Sequence, residues 1–188
     1  MHKNILLSLI ILASVCFCLY AESENAIGVR FDYSLQQNDV KKTSSETVRA
    51  FSDYGVGGGF FYNQTFDNNM VLGADFGINF YSYEKSGFPG TYLTLDFLVK
   101  CGYRFSIGNK WSSVVALTAG LDFRKYGQKK GFFTVIGLDA LCSYAVSDSI
   151  DVGLGSQAQL VFHGIVNDQY GVEKTPVFNF YAALTCKI

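Results

Sequence analysis

The sequence predicts an all-β fold, an eight-stranded antiparallel up-and-down transmembrane β-barrel. Three observations predict it. Eight separate segments alternate large apolar residues with small or polar ones, the period-two mark of a strand with two different surroundings. The connections between them alternate too, short turns with longer polar stretches. The composition is aromatic and glycine-rich, with 17 Phe, 12 Tyr, 19 Gly and only 2 Pro in 188 residues, which suits strands and tight turns better than helices.

The segments run in order along the chain. Residues 26–35 set Ile27, Val29, Phe31, Tyr33 and Leu35 against Gly28, Arg30, Asp32 and Ser34. Residues 52–63 set Tyr54, Val56, Phe60 and Tyr62 against Asp53, Gly55, Gly57 and Gly59. In 69–83, Met70, Leu72, Ala74, Phe76, Ile78 and Phe80 oppose Val71, Gly73, Asp75, Gly77, Asn79 and Tyr81. The fourth, 92–105, places Leu93 to Phe105 at odd positions against Thr94, Asp96, Lys100, Gly102 and Arg104. The fifth and sixth, 111–123 and 132–146, carry Trp111 to Phe123 and Ile136 to Val146 on their apolar faces. Their other faces carry Ser112, Thr118, Gly120 and Asp122, then Gly137, Asp139 and Ser143. The last two, 150–162 and 177–188, repeat the pattern, with Asp151, Gly153, Gly155, Gln157 and Gln159, then Asn179, Tyr181, Thr185 and Lys187, on the polar side. Each is about ten residues or longer, as a tilted membrane-crossing strand must be. The turns at 64–69, 106–110 and 147–149 are short; those at 36–50, 82–91, 124–131 and 163–176 are read as longer loops. Short turns belong on the periplasmic side of such a barrel and long loops on the exterior.

Volume assigns the faces. An eight-stranded barrel has room inside for side chains and little else. The apolar faces carry too many rings for that space, and exposed to water they would form a very large patch. The apolar face therefore points to lipid. Tyr33, Phe80, Phe123, Phe132, Phe162 and Phe178 then fall near the outer ends of the strands, and Tyr62, Tyr103, Phe105, Trp111 and Tyr144 near the periplasmic ends, as two interfacial girdles.

The N-terminus reads as an export signal. A basic start, "MHKN", precedes the apolar "ILLSLIILASVCFCLYA", and small or polar residues follow. Residues 1–21 are thus expected to be a signal peptide and 22–188 the barrel domain; a retained anchor is the other reading of the same stretch. Cys16 and Cys18 lie within it, preceded by Val15 and Phe17, which suit lipoprotein cleavage poorly. The chain has 15 basic and 16 acidic residues, and residues 1–21 contain one base and no acid. The remainder is slightly acidic, which excludes the broad basic field of a nucleic-acid-binding protein. Cys101, Cys142 and Cys186 fall on the lipid face, near the periplasmic ends of alternate strands, too far apart for disulfides.

With these segments the chain resembles the small eight-stranded outer-membrane proteins of the OmpA, OmpX and OmpW type. The ending "FNFYAALTCKI" looks like the C-terminal assembly signal of such proteins, though it closes on Ile188 where Phe is usual. The resemblance implies a Gram-negative-type or spirochaete envelope, insertion by the barrel-assembly machinery, outer-membrane lipids as surroundings and a monomeric barrel.

The candidate site is a charge network in the lumen: Arg30, Asp32, Asp75, Asp96, Lys100, Arg104, Asp122, Arg124, Asp139, Asp151 and Lys187, with Asp53 sharing the inward parity. Such groups must pair or hydrogen-bond when buried. Asp96, Lys100 and Arg104 follow one strand at intervals of four, and Asp151 and Lys187 sit low on neighbouring strands where they are expected to meet. Mixed signs and a small bore favour a self-satisfied plug over an ion pathway. The expected role is therefore structural or adhesin-like, with a host or surface ligand contacted through the outer loops, above all 36–50. The alternative is a narrow porin-like channel for small solutes. A lipid-modifying enzyme built on His163, with Asp168 and Ser34, is the third reading, since no spacing supports a triad, and a soluble ligand-binding barrel comes last. No metal-ligand spacing, cofactor motif or catalytic set is expected: "GVGGGF" at 55–60 lacks the Lys-Ser/Thr of a phosphate loop and sits inside a strand.

Overall fold

The computed structural model describes residues 23–41, 47–85, 88–126, 129–162 and 175–188. The expected signal segment with Cys16 and Cys18, as well as His163 and Asp168, lies outside the described residues. Eight strands follow in order: β1 (Ser23–Lys41), β2 (Thr47–Phe66), β3 (Met70–Lys85), β4 (Phe88–Ile107), β5 (Trp111–Tyr126), β6 (Lys129–Ala145), β7 (Ile150–Phe162) and β8 (Thr175–Lys187). Every neighbouring pair is antiparallel, and β1 pairs with β8 to close the barrel. Closure removes both free edges, so every ladder group inside the bilayer has a partner.

Two of the three periplasmic turns are tight because a single residue in each adopts the left-handed conformation. Asn69 (φ 63°) turns β2 into β3, with its amide donating to the Phe66 carbonyl at 2.8 Å, and Gly108 (φ 69°) turns β4 into β5. The opposite end departs from expectation. Stretches 36–50, 82–91 and 124–131 are expected from sequence as loops, but the ladders continue through most of them: β1 and β2 pair up to Lys41 and Thr47, β3 and β4 up to Lys85 and Phe88, β5 and β6 up to Tyr126 and Lys129. The physical reason is plain. Above the bilayer both faces of a hairpin meet water, so hydrogen-bonded pairing goes on without apolar alternation to announce it. One irregularity marks the transition on β1 and β2: the register shifts between Gln36 and Gln37, a bulge that skips Ser52.

The wall is apolar outside. Phe31, Phe60, Phe80, Leu117, Leu138 and Leu154 are each more than half exposed. This is an inside-out distribution for a protein in water and the expected one in hydrocarbon. The girdles are built from cross-strand partners. Phe123 and Phe132 are paired in register with ring centroids 4.8 Å apart at the outer end, and Trp111 and Tyr144 likewise at 5.0 Å at the inner end. Cys101, Cys142 and Cys186 are free thiols exposed on this wall.

Candidate functional site: the filled lumen and the outer rim

The inward residues do not leave a bore. At mid-height Arg30 from β1 reaches across the lumen, its Nη1 donating to Asp75 Oδ2 on β3 at 2.7 Å, while its Nε lies 3.2 Å from Asp32 Oδ2. Lys100 from β4 bridges Asp75 at 3.5 Å and Asp139 on β6 at 3.4 Å. Tyr181 on β8 donates its hydroxyl to the other oxygen of Asp139 at 2.6 Å. Five strands are thereby tied through one alternating chain of cations and carboxylates, with all the charged side chains nearly inaccessible to solvent. Opposite charges in direct contact offset the desolvation cost that either sign alone would carry in so dry a place.

The glycines explain how long side chains fit. Arg30, Gly59, Gly77 and Asp96 are successive register partners across β1 to β4. Gly77 leaves the space into which the guanidinium extends; a β-carbon there would stand 2.7 Å from Arg30 Nη2, whereas on Gly59 it would meet the Phe76 carbonyl. The same logic seats the rings. Phe61 lies across its partner Gly28, and Tyr181 across its partner Gly155, in each case where a β-carbon would collide with the ring. Lys100 Nζ then sits 5.0 Å from the Phe61 ring centre, and the Arg30 guanidinium 5.7 Å from that of Tyr181. Within "GVGGGF", a β-carbon on Gly55 would press on the Tyr81 ring and one on Gly57 would meet Asn79, so this stretch is wall space for neighbours' side chains.

A second cluster fills the outer end. Arg124 on β5 donates to Asp122 at 2.6 Å and to Gln36 on β1 at 2.8 Å, and its guanidinium covers the Phe133 ring at 5.3 Å. Tyr81 and Tyr92 stack face to face at 4.9 Å, and the Tyr92 hydroxyl donates to Asp53 at 3.1 Å. Asp96 receives Asn79 Nδ2 at 3.4 Å and stands opposite Asp122 in register. At the inner end Lys187 meets Asp151 at 3.1 Å and Arg104 meets Glu24 at 3.0 Å, both partly open to solvent.

The eleven charges therefore do not form one continuous array. Asp96, Lys100 and Arg104 share a strand but belong to three separate groups, at the outer end, the middle and the inner rim. What the sequence reading missed is the apolar part of the filling. Leu98, Phe133, Val135, Val161 and Val177 form one buried cluster, and Phe61, Leu141, Tyr181 and Ala183 another. These residues sit at inward parity, so alternation alone could have placed them; strings such as "GGGFFYN" and "KGFFTVIG" hide it by putting a large apolar residue on both faces. Among the described residues no group of histidines, cysteines and carboxylates is arranged to hold a metal ion.

No protein-family model and no characterised sequence matches the chain. Solved structures do. Ail, the attachment invasion locus protein of Yersinia pestis, solved in complex with the heparin analogue sucrose octasulfate, superposes with a TM-score of 0.57 at 15% identity, covering 89% of this chain and 99% of Ail. Neisserial surface protein A gives a TM-score of 0.56 at 17% identity, covering 87% of this chain and 99% of its own. At these identities the likeness speaks for the fold: from β1 to β8, this chain has the architecture of a Gram-negative outer-membrane β-barrel.

Proposed function

We propose that the protein is an integral outer-membrane barrel whose lumen is closed by its own side chains and whose work is done by the outer hairpins, as a monomeric surface-interaction protein of adhesin-like character. One observation carries the closed lumen: the chain Arg30–Asp75–Lys100–Asp139–Tyr181 runs from wall to wall with its partners in contact. A pathway for solutes needs open space between its lining groups, whereas here opposite charges lie against each other across the lumen. The apolar outer wall with its two aromatic girdles supports placement in the membrane, and the alternation of β8 up to Ile188 supports insertion by the barrel-assembly machinery. An export signal at residues 1–21 completes this reading. No catalytic role is included. The outer hairpins project beyond the upper girdle as paired strands, and the fold shared with Ail, a protein seen with a sulfated ligand, favours contact with an extracellular ligand.

Two measurements test this. The purified barrel, checked for the mobility shift on boiling that marks a folded barrel, is inserted in planar bilayers; silence is expected, and discrete conductance altered by Lys100→Gln would establish the channel reading instead. Non-adherent bacteria displaying the protein are then tested on immobilised heparin and extracellular-matrix proteins. Adhesion that disappears when 37–50 is replaced by a tight turn supports the surface role, and absence of adhesion to all of them overturns it.

A further inference from the structure

The lipid-facing wall is indented at Gly58. Along β2 the residues turned to lipid are Tyr54, Val56, Gly58, Phe60 and Tyr62, and among the described residues Gly58 is the only glycine with that parity. Two strands flank it. Phe31 on β1 and Ile78 on β3 are its register partners, and Val29 and Phe76 are the partners of Phe60 one rung below. These six residues line a hollow of about 300 Å³ that opens on the lipid-facing side. The rung above is Tyr33, Val56 and Phe80, two girdle rings on either side of a valine. Successive rungs are about 7 Å apart along the strands, so the hollow lies just below the outer girdle, within hydrocarbon. A β-carbon on Gly58 would stand 2.8 Å from the Arg30 carbonyl oxygen. The close approach of β1 therefore requires glycine, and the space in front of it has no side chain of its own.

We propose that this hollow is a binding site for one acyl chain of an outer-leaflet lipid. The chain enters between Tyr33 and Phe80 over Val56, lies against Gly58 between Phe31 and Ile78, and ends on Phe60. The position of the hollow names its occupant. It interrupts a wall whose surroundings are hydrocarbon, and it is lined by apolar side chains and by backbone groups engaged in the β1–β2 and β2–β3 ladders, so a polar group would find no partner there. An apolar cavity of about 150 Å³ takes one six-carbon ring, so this space matches roughly a dozen carbons of chain. Within hydrocarbon no hydrophobic force acts, and what retains a chain is the number of atoms it touches. A chain on the even wall is touched from one side; in this hollow it is touched from β1, β2 and β3 together. The site rests on the reading of the apolar wall as lipid-facing, and the experiment separates the two.

The barrel is reconstituted in phosphatidylcholine vesicles containing a trace of phosphatidylcholine with a diazirine midway along one acyl chain, and cross-links are mapped by residue. In the wild type, labelling of 29–31, 58–60 and 76–78 exceeds that of 119–121 and 134–136, the matching rungs of β5 and β6, by about fivefold, the effect of roughly ten additional carbon contacts. Gly58→Leu fills the hollow from its floor. Ile78→Trp fills it from the flank and leaves the close approach at Gly58 undisturbed. Each variant, still shifting in mobility on boiling, is expected to lose the preference, whereas Ala119→Leu on the even wall keeps it. Equal labelling of the two regions in the wild type overturns the site, as does a preference that survives Ile78→Trp. Protection of 29–31 and 58–60 from the probe, relieved by diluting the protein in lipid, would give the hollow to a second copy and overturns the site as well. Failure of the probe to label any strand overturns the lipid-facing wall beneath it.

Discussion

Asp75→Ala is the sharpest probe of the filled lumen. Asp75 is the only carboxylate among the described residues in contact with both mid-lumen cations, at 2.7 Å from Arg30 and 3.5 Å from Lys100, and its side chain is 2% exposed. Removing one partner from a buried ion pair costs about 3–5 kcal/mol, because a charge is left without compensation. Here the lower figure applies. Arg30 keeps Asp32 at 3.2 Å and Lys100 keeps Asp139 at 3.4 Å, so neither cation is stranded. The expected loss is about 3 kcal/mol, roughly 150-fold in the unfolding equilibrium. Trp111, the single tryptophan, sits in the inner girdle and reports the passage from lipid to water. Urea unfolding of the barrel from phosphatidylcholine vesicles, followed by its emission, measures the difference. A loss below about 1 kcal/mol, the range of solvent-exposed pairs, would mean that water reaches these charges and that the lumen is not closed.

Three further outcomes follow from the same geometry. Asp151→Ala, which breaks a pair with Lys187 at the partly open inner rim, is expected to cost about 1 kcal/mol or less in the same titration; a cost equal to that of Asp75→Ala would show the inner rim to be as dry as the middle. Gly28→Val drives a side chain into the Phe61 ring, itself held under Lys100, and is expected to cost about 2 kcal/mol. Adding Phe61→Ala to that variant should recover part of the loss, and a purely additive double variant would refute the pairing of glycine with ring. Cys101 and Cys142, each two residues inside the inner girdle, should react in vesicles with an apolar maleimide and not with a sulfonated one; rapid reaction with the charged reagent would place the wall in water.

The barrel is legible in the sequence because its two faces obey opposite rules. Met70 to Phe80 on one side and Gly73 to Asn79 on the other state the strand, its length and its lipid-facing side together. The filling is legible only in part. Asp151 and Lys187, on adjacent strands at similar height, meet as their spacing predicts. Tyr181 to Asp139 and Arg30 to Asp75 span two strands or more, and such partners depend on the stagger of the whole barrel, which single-strand patterns do not contain. The outer hairpins pass for loops in the sequence for a related reason: paired strands with water on both faces have no apolar period to betray them.

The bulge at Gln36 and Gln37 has a consequence for how this surface can change over generations. Below it, one inserted residue in β1 or β2 would swap lipid-facing and lumen-facing positions along the strand and undo the barrel. Above it, the register has already been reset once, so an insertion or deletion there is absorbed where it occurs and is not transmitted downward. The bulge acts as a clutch between a wall that admits almost no variation in length and a crown that tolerates it freely. The first hairpin is therefore where foreign peptides can be grafted for display, and where a lineage under pressure from antibodies or phage would be expected to diversify first.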